Sequence, residues 1–206
     1  MSHSLFPERR DPPSREKQIH FIRESVKIAR RALGNGRHPF GCILVSEDDE
    51  ILFTQGNIDT LNHAEATLCR TAWSNLSPHE LWKCTLYTNF EPCAMCAGSI
   101  YWANIGSVVY GCTEEKLLAL TGDDSENMTL NLSCRQLFNS GQKEIRVFGP
   151  FEDVEHEVRT ICVCLNNRYW RITLRSGRGT RLRSSRKLPK NNKFEKSKSN
   201  FLQSSI

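Results

Sequence analysis

No run in this 206-residue sequence approaches the roughly 18 consecutive apolar residues that a membrane-crossing helix needs. The opening residues, MSHSLFPERRDPPSREK, have no apolar core, so they do not read as a secretory leader. Acids are nearly missing from one end: residues 171–206 hold eleven basic side chains against Glu195 alone, a net charge of +10. The whole chain is only +5, so residues 1–170 carry −5. An acidic body argues against a broad basic face for nucleic acid on the body itself. Paired cysteine motifs are also scarce. The nine cysteines are odd in number and scattered, with one Cys-x-x-Cys and no second pair at a suitable spacing. That pattern reads as reduced thiols and a cytoplasmic address rather than a disulfide scaffold. The Arg-Lys clusters of the tail would also suit a nuclear signal, with a solvated tail as the plainer reading.

What is present suits a globular body. Hydrophobic residues make up 38% of the chain, too many for a wholly disordered protein. About 170 residues are enough for one domain with a proper core. The polar, proline-containing residues 1–16 read as a flexible arm, residues 17–170 as the domain, and residues 171–206 as a disordered, basic, low-complexity tail.

Within the domain, Ile19, Ile22, Val26, Ala29 and Leu33 recur at three- and four-residue steps, which predicts a helix over 18–33, stopped by Gly34-Asn35-Gly36. Cys42 to Val45 and Ile51 to Phe53, flanking an acidic turn, predict a hairpin. Further on, helices are expected over 63–76, 92–103, 114–120 and 153–170, and strands over 85–88, 108–110 and 145–148. Pro92 is expected at the first position of its helix, where its missing N–H costs nothing. Strands alternating with helices predict an α/β protein, a three-layer α/β/α sandwich.

Two strings carry chemistry: His63-Ala64-Glu65 and Pro92-Cys93-Ala94-Met95-Cys96. Each alone has a bland alternative, a chance His-x-Glu or half of a structural zinc site. Together they supply what a catalytic zinc requires, three protein ligands with the fourth position left to water. His63 offers an imidazole. Cys93 and Cys96, three apart, share a helix face and can reach one metal. A helix N-terminus beside them favours thiolates. Glu65 points elsewhere and is free to carry protons: from water, whose pKa zinc lowers toward about 7, to the ring nitrogen and then to the leaving amine. Cys162-x-Cys164 is too short for a ligand pair and reads as packing.

These strings match the zinc-deaminase signature. Over residues 18–150 the chain resembles the cytidine/deoxycytidylate deaminase-like superfamily. The run Glu91-Pro92-Cys93-Ala94-Met95-Cys96-Ala97-Gly98-Ser99-Ile100-Tyr101-Trp102 is most similar to guanine deaminases and related nucleobase or nucleoside deaminases. The resemblance implies a Zn²⁺ cofactor, a cytidine deaminase-like fold, a homodimer and deamination of a small base, with guanine ahead of cytosine, adenine and nucleosides.

It also implies base contacts. Asn57 matches the asparagine that holds the base, against a plain turn residue after Gly56. The family's Asp-Pro-Thr-Ala before the histidine reads Asp59-Thr60-Leu61-Asn62 here, on a shortened loop. Phe40 touches the ring or belongs to the core. Asp124, after Gly122-Asp123, matches an acid that contacts the purine, against a solvated loop acid. Trp102 walls the pocket or serves dimer or core packing. A tRNA wobble-adenosine deaminase is the alternative enzyme, supported by the basic tail and opposed by Ile100-Tyr101-Trp102. A non-catalytic zinc-binding subunit is the alternative outside enzymology, opposed by the presence of Glu65.

Overall fold

The computed structural model describes residues 5–121 and 130–162. The basic tail, and with it Asp124, lies outside the described residues. The first helix, α1 (Arg15–Gly34), starts three residues before the expected 18–33, because Ser14 caps it by accepting from the Lys17 N–H. Its buried face holds Phe21, Ile22, Val26, Ile28 and Ala29. The hairpin follows as β1 (Gly41–Val45) and β2 (Ile51–Gly56), antiparallel, with the acidic turn between them. Next come α2 (Ala64–Trp73), α3 (Pro78–Lys83), β3 (Thr85–Phe90), α4 (Ala94–Trp102), β4 (Ser107–Cys112), α5 (Glu114–Thr121), α6 (Cys134–Asn139) and β5 (Arg146–Phe148). Helical backbone over 152–162 ends the described chain.

The sheet runs β2-β1-β3-β4-β5. β1 is antiparallel to β2 and β3, whereas β3, β4 and β5 are mutually parallel. The three inner strands are buried along their whole length, as strands covered on both faces must be. One face packs Leu44, Leu86 and Val108 against Leu68, Leu81, Ala97 and Ile100, from α2, α3 and α4. The other packs Ile43, Tyr87 and Val109 against Ile22 and Val26 of α1 and Val154 and Val158 of the final helical segment. The molecule is therefore the expected three-layer α/β/α sandwich. Gly41 lets α1 approach closely, since a Cβ there would stand 2.4 Å from the Ala29 nitrogen.

Three details differ from the sequence reading. The short helices α3 and α6 went unpredicted; each is set by a capping box, Ser77 with Glu80 and Ser133 with Gln136, rather than by an apolar period. Pro92 is not the first residue of its helix: Cys93, extended at φ −62° and ψ 170°, is the N-cap, which leaves Pro92 outside. Third, residues 5–13, expected to be mobile, lie against the body. Phe6 meets Trp82 edge-on at 4.9 Å, and Arg9 stacks over the same ring at 4.3 Å while donating to the Gly106 carbonyl. Trp82 is thus covered by a segment whose composition alone looks disordered.

The same arm reaches the hairpin turn. Asp49, in the left-handed region at φ 67°, accepts from Arg10 at 2.5 Å and Lys17 at 2.6 Å. The bond from Arg10, helped by Lys17, pulls its carboxyl down to about 2 from 3.8. A depressed pKa stabilises the fold above the unfolded value, and that stabilisation is lost as pH falls from about 4 toward about 2. Asp49→Asn keeps a residue that tolerates positive φ, and at pH 7 it should lower stability by about 1 kcal/mol after solvent screening. Urea unfolding at pH 7 and pH 2 should show that difference mostly lost at the acid end, where the native carboxyl is about half protonated. An undiminished difference at pH 2 would mean that the charge was not the cause.

Candidate metal centre and active site

The C-terminal ends of β3 and β4 open toward the N-termini of α2 and α4, the usual place for a site in an open α/β sheet. His63 is the N-cap of α2, and Cys93 is the N-cap of α4. Cys96 sits one turn into α4 and is buried. Two helix N-termini therefore converge on one point, where their partial positive charge favours anions. The Cys93 and Cys96 sulfurs each lie 3.6 Å from His63 Nδ1. A tetrahedral zinc with Zn–S near 2.3 Å and Zn–N near 2.0 Å needs N and S roughly 3.5 Å apart, so the side chains already stand where zinc would want them. Among the described residues these three form the one such group, with ligand atoms within 4.8 Å of one another.

The electrostatics agree. Hydrogen bonding from Cys96, and then the His63 imidazole, pulls the Cys93 thiol far below its ordinary range, whereas its bond to Cys93 and burial push Cys96 up. The pair favours one thiolate even without a cation. The other described cysteines are free, and burial raises several of them, Cys69 and Cys134 included, so they offer no competing thiolate.

Glu65, in the first turn of α2, is 6% exposed. Its Oε1 accepts from the Thr88 hydroxyl at 2.5 Å, and its Oε2 lies 3.3 Å from the Cys96 sulfur. Burial raises its carboxyl above the ordinary range. The carboxylate is thus held by one oxygen with the other at the edge of the metal position. The cavity there is lined by Phe40, Phe90 and Leu117 on its apolar side and by His63, Glu65, Glu91 and Glu114 among its polar groups.

The remaining candidates are placed unequally. Phe40 does line the cavity, edge-on to Phe90 at 5.8 Å. Its backbone carbonyl accepts from the Asn57 N–H, which brings Asn57 beside it. Asn57 is buried. Its Nδ2 donates to the Asp59 carbonyl, and its Oδ1 has no partner among the described residues. Trp102 corrects the expectation of a pocket wall. It lies six residues beyond Cys96, on another face of α4, 75% exposed and bordering a groove with Arg70 and Trp73. Asp124 is outside the described residues.

Sequence reasoning missed four supporting side chains. Thr88 holds Glu65. Fully buried Asn89 accepts from the Gly41 N–H and donates to the Pro39 carbonyl, clamping the loop that presents Phe40. Glu91 and Glu114 line the cavity. Glu91 stood in the quoted motif, but its partners are helix amides distant in sequence, which no local pattern reveals.

Comparison with known proteins supports the same centre. The family model described as the cytidine and deoxycytidylate deaminase zinc-binding region matches residues 15–112. A probable cytosine deaminase of Schizosaccharomyces pombe is 36% identical over 144 residues, covering 68% of this chain and 88% of that protein. A guanine deaminase of Bacillus subtilis is 36% identical over 110 residues, 51% of this chain and 70% of that protein. A solved structure from studies of A-to-I editing by tRNA:A34 deaminases matches with a TM-score of 0.54 at 27% identity, over 69% of this chain and 99% of that one. The matched span contains His63, Glu65, Cys93 and Cys96. The chain therefore belongs to the cytidine and deoxycytidylate deaminase family, whose metal is zinc.

Proposed function

We propose that this protein deaminates a free nucleobase hydrolytically, with guanine as its leading substrate. One observation carries the reading: a His-Cys-Cys triad at zinc spacing with the buried carboxylate of Glu65 against it. His63, Cys93 and Cys96 hold the metal. When bound, zinc supplies the Lewis acidity that makes water nucleophilic at neutral pH. Glu65, anchored through Oε1 by Thr88, takes the water proton at Oε2. It delivers that proton to the ring nitrogen, and then carries the remaining proton of the added hydroxyl to the amine, which departs as ammonia as the C–N bond breaks and the carbonyl forms. Phe40, Phe90 and Leu117 give a flat ring an apolar slot and exclude water from it.

The base-edge contacts rest on the resemblance, since Asn57 borders a groove with Ile28 and Arg31 rather than the cavity of the triad. The unpartnered Oδ1 of Asn57 is an acceptor suited to a base N–H, and Asp124 is the acid assigned to the purine. Glu114, pushed up to about 8 by burial and then by Cys93 and Glu65, lines the cavity with no hydrogen-bond partner for its carboxyl among the described residues. The exposed Trp73 and Trp102, on α2 and α4, would become buried in the homodimer that the resemblance implies.

Cytosine is the second reading, because the S. pombe relative matches over more of both chains than the B. subtilis guanine deaminase does. An ammonia-release panel of guanine, cytosine, adenine, their nucleosides and tRNA separates the readings. Guanine should exceed the other free bases in kcat/KM by at least about tenfold, the discrimination that hydrogen bonds to a base edge supply. A cytosine preference would reassign the base and leave the chemistry. Release from tRNA alone would overturn the free-base reading.

A further inference from the structure

Glu91 is buried at 6% exposure, immediately before Pro92 and Cys93, and it lines the same cavity as Glu65, yet both of its carboxylate oxygens are engaged by backbone amides. Its backbone continues the β3–β4 ladder: the Glu91 N–H donates to the Cys112 carbonyl at 2.7 Å. Its side chain does something separate. Oε2 accepts from the Glu114 N–H at 3.3 Å, and Oε1 accepts from the Cys134 N–H at 3.0 Å. These are the first amides of α5 and of α6. The leading N–H groups of any helix lack an intrahelical acceptor and must find one elsewhere. Local caps leave these two amides free: Ser133 and Gln136 engage each other at the start of α6, and Thr113 accepts from Lys116 at the start of α5. One carboxylate, anchored at the strand end that leads into Cys93, supplies both missing acceptors.

We propose that Glu91 is a positioning residue of the active site, tying the first turns of α5 and α6 to the strand end that carries the metal ligands. The consequence concerns the substrate wall. Glu114 and Leu117, both on α5, line the cavity opposite the triad, and α6 packs on α4, which carries Cys96. Fixing both helix starts to residue 91 sets the distance between wall and metal, and so the width left for a flat base. The functional half of the proposal rests on this cavity being the deaminase site.

The residue type is dictated by the partners. Both are N–H donors, and an ionised carboxylate is acceptor-only, with two oxygens to give. Glutamine keeps the shape but turns an NH₂ toward one of the amides, losing one bond and adding a donor–donor clash. Aspartate keeps the charge on a shorter stem.

The test uses full-length, zinc-loaded protein with Glu91→Gln and Glu91→Asp. Zinc should remain at one per chain. KM should rise about tenfold, the worth of a charge-assisted hydrogen bond, while kcat changes by less than about threefold, because Glu65 has not moved. Amide hydrogen exchange gives a readout that needs no turnover. In the parent protein the 114 and 134 amides should exchange slowly, and in Glu91→Gln both should speed up by at least about tenfold while the β1 and β3 amides stay unchanged. Fast exchange at 114 and 134 in the parent would overturn the proposal even if no variant folded. So would a variant that only loses thermal stability, with KM and local exchange unchanged. A parent protein without turnover on any base, nucleoside or tRNA, but with the exchange pattern as stated, would refute the deaminase reading and with it the positioning role, leaving Glu91 a structural cap.

Discussion

Glu65→Gln is expected to bind one zinc per chain and to release ammonia about a thousandfold more slowly, the middle of the range for a positioned proton carrier. The substitution is nearly isosteric. An amide at residue 65 can still accept from the Thr88 hydroxyl, so the anchor at Oε1 survives. It removes the basic oxygen that faces the metal position, 3.3 Å from the Cys96 sulfur. The burial that raises its carboxyl also moves its proton affinity toward that of the groups it serves. Metal content by mass spectrometry under native conditions, beside steady-state ammonia release, separates the two effects. A variant that loses zinc along with activity would show that Glu65 helps hold the metal.

The second large effect is loss of the metal itself. Cys96→Ser should lower zinc affinity by more than about a hundredfold, since changes merely behind a ligand already cost 10–100-fold. Cys96 is the buried member of the triad, and its hard hydroxyl replacement leaves His63 and Cys93 with a poor third ligand. Two helix N-termini meet at this point, so chelation of the parent protein should also loosen the first turns of α2 and α4 before the sheet. A chelator titration followed by amide exchange should find 63–67 and 93–97 deprotected first. Simultaneous loss of protection across β1, β3 and β4 would contradict a local metal centre and indicate that zinc supports the whole fold.

Much of this was legible in the sequence because it is written in short-range patterns. The apolar period of α1, the strand–helix alternation and the two ligand strings each lie within a few residues, and the structure keeps them. The charge asymmetry was legible too: every candidate ligand lies in the acidic body. What escaped depends on partners far apart in the chain. Thr88 and Glu65 are 23 residues apart, and Glu91 and Cys134 are 43 apart. Neither pair has a spacing rule. The ordered arm escaped for the opposite reason. Its composition looks disordered, but Trp82 offers Phe6 and Arg9 an aromatic platform that composition does not show. Trp102 was misplaced because a pocket wall and an exposed groove lie on different faces of the same helix, and an aromatic residue reads alike on either.

The most direct test of hydrolytic deamination at this centre is turnover of zinc-loaded protein in water enriched in ¹⁸O. One ¹⁸O should enter the product carbonyl for each ammonia released, and the rate should fall about a thousandfold in Glu65→Gln at equal zinc content. Product without ¹⁸O, or equal rates in the two proteins, would contradict the assignment.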